Sequence, residues 1–317
     1  MTADPARIAA RIARELGAPE LVARLVALPQ SELTSLLLEV FRHRSRRRDP
    51  AELAAQYARG GALRPSPTDA RALAAVERHA FAAASAFDAL SLAPVSPLGL
   101  NAVLGDIDQN LTLGALRGLE VLADPTTQLA LECAVRRERG AREVRLCAAA
   151  RMLRLQPFDN PAFTPHFSIF GLTTAGVDRG AHAFEREALE EQLRVHLDFL
   201  ARLAADGYRL SDVRVEVADT EPGQAGQRRL GDVEALLFPS LRRDFASVTF
   251  ALDGARTHAM SYYRGLCLHV SARDAEGETQ LIGDGGFTDW TQRLRSNAKE
   301  RLLVSGFGTE LLPRRFR

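Results

Sequence analysis

Apolar residues recur at helical spacing over residues 4 to 60. They include Ile8, Ile12 and Leu16, then Leu21, Leu25 and Leu28, then Leu36, Leu37, Val40 and Phe41. A spacing of three or four positions is typical of amphipathic helices. We therefore predict several helices in this stretch, with Ser31 as the N-cap of the one that contains Leu36.

The helical pattern stops at Arg64-Pro65-Ser66-Pro67-Thr68-Asp69 and resumes over residues 70 to 86. Two prolines break a helix, and the Ser, Thr and Asp that follow are residues that cap the next one. We place a domain boundary here. Residues 1–65 form an N-terminal helical segment, and residues 66–317 form a second domain.

Short apolar runs bounded by Gly, Pro and Asp predict strands in the second domain. They cover residues 144–147, 166–172, 213–217, 247–252, 265–270 and 302–307. One long helix is predicted over residues 184–205, with Leu189, Leu193, Leu197, Leu200 and Leu203 on one face. Because regular alternation of strands and helices is absent, the pattern favours an α+β fold with a mostly antiparallel sheet flanked by helices.

Composition narrows the class of protein. The chain has 317 residues, of which 46% are hydrophobic and 26% charged, as in an ordinary globular protein. It has no apolar run of membrane-spanning length, and the first residues alternate Arg with Ala where a signal peptide needs an apolar stretch. A cytoplasmic protein is expected. The net charge of +1 gives no general attraction to nucleic acids or membranes, and we do not expect the chain to bind either.

The polar motifs taken singly carry little chemistry. The basic run Arg42 to Arg48 is interpreted as a solvated helix end that Asp49-Pro50 stops, although an RNA-binding module remains an alternative. The three cysteines and the scattered histidines lack the spacing of a disulfide framework or a metal site. The glycines of Gly283–Gly286 and Gly306–Gly308 are interpreted as turn residues.

The order of several fragments is more informative. Arg154 is followed by a Pro-rich loop (158–165) and by a strand that carries Phe167. This arrangement resembles motif 2 of the class II aminoacyl-tRNA synthetases. The later fragments Ser261-Tyr262-Tyr263-Arg264-Gly265, Gly285-Gly286-Phe287-Thr288-Asp289 and Val304-Ser305-Gly306-Phe307-Gly308 are similar, in that order, to the core motifs of histidyl-tRNA synthetase.

Two further segments extend the resemblance. Residues 122–130, Leu-Ala-Asp-Pro-Thr-Thr-Gln-Leu-Ala, resemble the amino-acid-binding segment of that family, and resemble even more the form found in the regulatory subunit of ATP phosphoribosyltransferase. Leu92-Ala93-Pro94 resembles motif 1, which builds the dimer in the superfamily. The likeness covers about residues 68 to 312. It implies a class II synthetase-like fold and a homodimer.

The resemblance also implies roles for individual residues. ATP, with Mg, would contact Arg154, Phe167, Gly306, Gly308 and Arg314, with Arg154 on the α-phosphate as the catalytic residue and Phe167 on adenine. The amino acid or related carboxylate would contact Asp124, Thr126, Gln128, Tyr262 and Tyr263, with Asp124 on the ammonium. Each residue also has a structural interpretation. Arg154 would then be a surface arginine, Phe167 and Tyr262 core residues, and Asp124 the N-cap of a helix over 125–136.

The chain departs from the family pattern at several positions. Gln156 replaces an acidic residue of motif 2, and Ile169 and Thr173 replace polar residues of the amino-acid pocket. Two expected arginines fall at Pro313 and His258, with Arg314, Arg315 and Arg256 nearby. Because adenylation depends on cations at the phosphates, and imidazole needs polar partners, histidine charging is not expected.

Two functions are therefore considered, of which we predict the first and keep the second as the alternative. The first is ATP-dependent adenylation of an amino acid or related carboxylate, outside normal tRNA charging and delivered to an acceptor protein or molecule. The second is a catalytically inactive, amino-acid-binding subunit that regulates or scaffolds a partner enzyme. The anticodon-binding domain that follows motif 3 in the synthetases is not found before Arg317, which favours the second function. The spacing from Arg154 to Phe167 favours the first.

Overall fold

A computed structural model of the protein describes residues 4–156, 164–221, 223–254 and 262–317. The chain begins with four helices: α1 (Pro5–Glu15), α2 (Leu21–Val26), α3 (Gln30–Ser45) and α4 (Pro50–Ala58). The predicted cap at Ser31 is wrong, because Pro29 precedes the first helical residue of α3 and Ser31 lies within the helix. Asp49-Pro50 does more than end α3. The Asp49 carboxylate accepts a hydrogen bond from the Ala51 amide (2.7 Å), and this caps α4.

The chain continues through a 3-10 turn at Gly61–Leu63 to α5 (Ala70–Ala83), which Asp69 caps. The predicted boundary near residue 65 falls in this connection. The next elements are β1 (Asp88–Ala89), β2 (Val95–Pro97), α6 (Leu100–Gly105), β3 (Gly114–Ala115), β4 (Leu119–Val121) and α7 (Pro125–Glu138). Strands β2, β4 and β3 form a small antiparallel sheet in that order.

The remaining elements build the main sheet. They are β5 (Val144–Leu153), β6 (His166–Val177), α8 (Ala183–Ala205), β7 (Ser211–Asp219), α9 (Gln224–Asp232), a π-helical turn (Val233–Leu237), α10 (Phe238–Asp244), β8 (Thr249–Leu252), β9 (Leu266–Arg273), β10 (Thr279–Thr288), α11 (Trp290–Arg295), β11 (Glu300–Gly308) and α12 (Leu312–Arg315). The eight strands run in the order β1-β5-β6-β11-β10-β9-β7-β8. In this order, each pair of neighbouring strands between β5 and β7 is antiparallel. At the two edges of the sheet, β1 pairs in parallel with β5, and β8 pairs in parallel with β7. The predicted α+β class is confirmed.

Strand β10 was not predicted from the sequence, because Gly283–Gly286 were interpreted as turn residues. These glycines lie in the middle of the sheet, where neighbouring groups leave no room for a side chain. A Cβ at Gly285 would lie 2.3 Å from the Cβ of Ser305, and one at Gly286 would lie 2.7 Å from the Tyr263 ring. The glycines allow close approach in a strand, a use that composition alone does not distinguish from a turn.

Helices cover both faces of the main sheet. The predicted apolar face of α8 is buried against one face, where the rings of Phe199 and Phe307 stack with centroids 4.1 Å apart. Helix α7 packs on the opposite face through Leu129 and Cys133. No helix within the described ranges is long and apolar enough to cross a membrane.

His196 is buried in α8, and its environment makes stability depend on pH. Its Nε2 lies 3.0 Å from Ser305 Oγ, and burial lowers the pKa of the imidazole to about 4. In the unfolded chain the His196 imidazole therefore binds a proton below its ordinary pKa of 6.5. In the folded chain it binds a proton only at about pH 4 and below. Stability must fall as the pH drops through this window.

We expect His196 to lower the free energy of unfolding by about 3 kcal/mol between pH 7 and pH 4. The measurement is urea unfolding of wild type and His196→Gln at both pH values. The variant should lose about 3 kcal/mol less than wild type over this interval. Equal losses in the two proteins would contradict a neutral buried His196.

Candidate functional site

A cavity opens on the α7 face of the main sheet, above β6, β10 and β11. Its volume is about 230 Å³. The lining comprises Asp124, Thr126, Arg154, Ile169, Tyr262 and Tyr263, together with residues 281–284 of β10 and 304–308 of β11. Seven residues that the resemblance assigned to one site thus surround one cavity: Asp124, Thr126, Arg154, Tyr262, Tyr263, Gly306 and Gly308.

Arg154 and Asp124 form a salt bridge within this cavity. Arg154 comes directly after β5, and its backbone amide donates to the Pro165 carbonyl (2.8 Å). The guanidinium donates from Nε to the Ala123 carbonyl (2.9 Å) and from Nη2 to Asp124 Oδ2 (2.9 Å). The two side chains are 24% and 21% exposed, so both are accessible from the cavity.

Asp124 also caps α7. Its Oδ1 accepts hydrogen bonds from the backbone amide (2.8 Å) and the hydroxyl (2.7 Å) of Thr126. The helix begins at Pro125, as the alternative interpretation of this residue predicted. One carboxylate oxygen therefore serves the helix and the other serves Arg154, so capping leaves Asp124 able to bind a charged group.

Tyr262 and Tyr263 form an aromatic wall. Tyr263 is buried, and the Tyr262 hydroxyl donates to the Tyr263 hydroxyl (3.4 Å). Burial, reinforced by the negative charges of Asp124 and Asp284, raises the pKa of Tyr262 to about 12, while the Tyr263 hydrogen bond and Arg154 act in the opposite direction. The Tyr262 phenol is consequently neutral at physiological pH.

Two residues were not found from the sequence: Asp284, which lines the cavity, and Trp290, which lies outside the lining and contacts it through Tyr262. The Trp290 ring stacks on Tyr262 with centroids 5.8 Å apart, and Asp284 lines the cavity with its carboxylate 3.4 Å from His269 Nε2. Trp290 is the single tryptophan of the chain and directly follows the Gly-Gly-Phe-Thr-Asp fragment, which was the available signal. No sequence signal pointed to Asp284, because residues 283–286 were interpreted as a turn and not as part of a strand that borders the site.

The glycines of β11 leave space for the cavity. Gly306 and Gly308 line it through their backbone. A Cβ at Gly306 would lie 2.9 Å from the Phe170 carbonyl oxygen, so a side chain is not tolerated there.

The other candidate residues lie outside the lining. The Gln128 amide faces the small sheet, 3.4 Å from the Val95 carbonyl. Phe167 is half-buried on β6, paired with Met152 and two positions before Ile169, on the same face. Arg314 is exposed in α12. Arg256, His258 and most of the loop over 158–165 lie outside the described residues.

Ile169 and Thr173, the two residues that depart from the polar pattern of the family's amino-acid pocket, differ in their access to the cavity. Ile169 lines the cavity. Thr173 is completely buried, and its hydroxyl lies 3.3 Å from Cys133 Sγ. This part of the site therefore presents an apolar side chain to a ligand.

A second cavity of about 480 Å³ lies near the C-terminal end of β10. Its guanidiniums already have carboxylate partners: Arg229 pairs with Asp219 (2.6 Å), and Arg301 pairs with Glu185 (2.9 Å). Its polar lining is thus an ion-pair network. Within the described residues, no group of three or more His, Cys, Asp or Glu side chains could hold a metal ion.

Comparison with known proteins gives matches at the level of structure. No family model and no curated protein sequence matches the chain. An ATP phosphoribosyltransferase regulatory subunit/histidyl-tRNA synthetase from Bacillus halodurans is similar over 79% of this chain and 82% of its own, with a TM-score of 0.60 and 13% identity. The chain has a class II synthetase-like fold.

Two other solved structures agree with this fold. Apo histidyl-tRNA synthetase from S. aureus is similar over 77% of this chain and 64% of its own, with a TM-score of 0.52 and 12% identity. A histidine-tRNA ligase subunit from Alicyclobacillus acidocaldarius is similar over 80% of this chain and 96% of its own, with a TM-score of 0.52 and 15% identity. The resemblance seen in the ordered sequence motifs therefore extends to the three-dimensional fold.

Proposed function

We propose that this synthetase-like paralogue is a catalytically silent subunit that binds a free amino acid. The observation that carries the proposal is the Asp124–Arg154 salt bridge inside a small cavity. An amino acid carries an ammonium and a carboxylate on one carbon. It can replace the internal pair, giving its ammonium to Asp124 and its carboxylate to Arg154, so that both protein charges remain paired.

The lining also suggests the class of side chain. Ile169, Val304 and the Tyr263 ring offer apolar surface, and the Thr173 hydroxyl is taken up by Cys133. The polar groups of the lining already have partners, because Asp284 lies 3.4 Å from His269 Nε2, the Ser305 hydroxyl donates to Gln192 (2.7 Å) and the Tyr262 hydroxyl donates to Tyr263 (3.4 Å). An imidazole in this cavity would therefore lose hydrogen bonds that it makes in water. These contacts favour a compact apolar amino acid over histidine.

The described residues fit ATP and Mg poorly. Among the described residues that line the cavity, Arg154 is the one guanidinium, and the negative charge of Asp124 lies beside it (2.9 Å) and would repel a phosphate. Phosphoryl chemistry needs fixed cations where charge develops, and the loss of one such contact typically costs about 100- to 1000-fold in rate. The volume of about 230 Å³ is also below the range of roughly 300–1,000 Å³ found for drug-sized ligands.

A silent binder acts through a partner. The Bacillus halodurans protein is described in part as a regulatory subunit, and it is matched over most of its length. We extend this role to the present chain, which would regulate or scaffold a partner enzyme in an amino-acid-dependent way, as a cytoplasmic homodimer.

Adenylation of the bound amino acid or a related carboxylate, with ATP and Mg, is the second candidate. One observation favours it: the hydrogen bond from the Arg154 amide to the Pro165 carbonyl continues the β5–β6 pairing beyond Leu153. This holds Arg154 near the strand that carries Phe167, as a motif 2 nucleotide grip requires.

Isothermal titration calorimetry with each free amino acid, without ATP, tests the proposal. We expect compact apolar amino acids to bind at one per chain, and Arg154→Gln to weaken binding by about 10- to 100-fold. Arg202→Gln is the control, because Arg202 is an exposed arginine on α8 with its own salt bridge to Asp198 (2.7 Å). Absence of binding by every amino acid would refute the proposal.

A further inference from the structure

A third cavity lies beside the C-terminal end of α7, and its volume is about 740 Å³. Its charged lining consists of four arginines and two glutamates: Arg137, Arg142, Arg179, Arg295, Glu143 and Glu300. Strand β5 begins at Val144, next to this cavity, and ends at Leu153, next to Arg154. A strand of 10 residues is roughly 30 Å long, so the cavity is well separated from the one that contains Asp124 and Arg154.

The deepest charged groups of this cavity carry a surplus positive charge. The completely buried Glu300 carboxylate pairs with Arg137 (3.0 Å) and also with Arg295, so two guanidiniums share one carboxylate. Arg295 has a further partner in Glu138 (3.1 Å), but Glu138 is 75% exposed and solvent screens this pair. An anion that enters the cavity would therefore meet an incompletely neutralised pair of arginines.

Arg137 supports the cavity and is not available to a ligand. Its Nε and Nη2 donate to Glu300, and its Nη1 donates to the backbone carbonyls of Ala141 and Arg142. These bonds fix the chain that follows α7 and occupy carbonyls that would otherwise repel an anion. The guanidiniums that can contact a ligand are those of Arg142, Arg179 and Arg295.

Arg142 and Arg179 are the accessible arginines of the lining. Arg142 is exposed, and its guanidinium has no hydrogen-bond or ion-pair partner among the described residues. Arg179 is 41% exposed and pairs with Glu187 (2.6 Å), which is 59% exposed. Because exposed pairs of this kind contribute little stability, an anionic ligand can take the place of Glu187. The second glutamate of the lining, Glu143, is itself paired with Arg145 (2.9 Å).

The chemistry of the lining favours a phosphate-bearing small molecule. Guanidinium forks match phosphate oxygens, and a phosphate group carries up to two negative charges. The volume of about 740 Å³ lies within the range of roughly 300–1,000 Å³ found for small-molecule sites. None of the described residues of the lining has an aromatic ring on which a nucleotide base would stack. Recognition would therefore take place through the phosphate groups.

We propose that this cavity is a second ligand site, which binds a phosphate-bearing small molecule through Arg142, Arg179 and Arg295. The site lies at the opposite end of β5 from Arg154, and it does not depend on the function proposed for the Asp124–Arg154 cavity. It gives the chain a way to bind a second, chemically different ligand.

Isothermal titration calorimetry of the full chain with inorganic pyrophosphate, at about 0.05 M salt, tests the site. We expect one pyrophosphate to bind per chain, and the affinity to fall by about 10- to 100-fold in each of Arg142→Gln and Arg179→Gln. The matched control is Arg139→Gln, since Arg139 is exposed at the end of α7 and does not line the cavity. This control should bind pyrophosphate like wild type.

Two further titrations locate the site and identify the group that is recognised. Arg154→Gln should bind pyrophosphate as wild type does, and ADP should bind to wild type no more tightly than pyrophosphate. Absence of pyrophosphate binding at millimolar concentration would overturn the proposal. So would equal weakening in Arg139→Gln and Arg142→Gln, loss of binding in Arg154→Gln, or a clear preference for ADP.

Discussion

Replacing Asp124 with asparagine is expected to weaken amino-acid binding by about 30- to 5,000-fold. The estimate corresponds to about 2 to 5 kcal/mol for the loss of one member of a partly buried charged pair. In the proposed complex, Asp124 is the carboxylate that holds the ligand ammonium. Without its charge, Arg154 would also lose the partner that it has in the free protein (2.9 Å).

Asparagine is chosen because it keeps the cap. Asn and Asp are about equally good N-cap residues, so α7 should remain capped and the melting temperature should change little. Asp69→Asn is the matched control, since Asp69 caps α5 through the amides of Arg71 (2.8 Å) and Ala72 (3.0 Å) and does not line the cavity. Calorimetry should show loss of binding only in the Asp124 variant. Wild-type affinity in Asp124→Asn would exclude Asp124 as the ammonium partner.

Replacing Arg137 with methionine is expected to lower the free energy of unfolding by about 3 to 5 kcal/mol. Arg137 lies in α7, and its Nε and Nη2 donate to the two carboxylate oxygens of Glu300 (3.0 Å each). Glu300 is completely buried. In the variant, the Glu300 carboxylate keeps Arg295 as its remaining guanidinium partner. One ion pair then compensates poorly for the free energy of removing the carboxylate from water.

Arg136→Met provides the control for this prediction. Arg136 is the adjacent residue on α7, but it pairs with Asp88, which is 71% exposed, and such surface pairs contribute about 0 to 1 kcal/mol. Urea unfolding should separate the two variants clearly. Restoring much of the stability with Arg137→Met/Glu300→Leu would identify the unpaired carboxylate as the cause. Equal effects of Arg136→Met and Arg137→Met would contradict a stabilising role of the buried Arg137–Glu300 pair.

The elements that the sequence predicts well are those with local signals. Asp69 and Asp124 are typical N-cap residues at the starts of α5 and α7, and the leucines of α8 repeat at helical spacing over the length of the helix. Strand β10 was missed because its glycines are required by Ser305 and Tyr263, which are distant in the sequence. A strand whose composition is set by its neighbours carries no local signal.

In the candidate site, too, the contacts between residues distant in the sequence could not be predicted from local patterns. Ordered motifs suggested Asp124 and Arg154 separately, as an ammonium ligand and a phosphate ligand. Their salt bridge joins positions 30 residues apart and depends on the packing of α7 beside β5, which no motif encodes. The contact between Thr173 and Cys133 is equally non-local. Both contacts shift the interpretation from adenylation toward binding.

The most direct test of catalytic silence is ATP–pyrophosphate exchange in the presence of the amino acid that calorimetry identifies. We expect wild type to bind that amino acid and to show exchange only at the background level, the same as in Arg154→Ala. Exchange above background in wild type that disappears in Arg154→Ala would contradict catalytic silence and assign the chain to the adenylating enzymes.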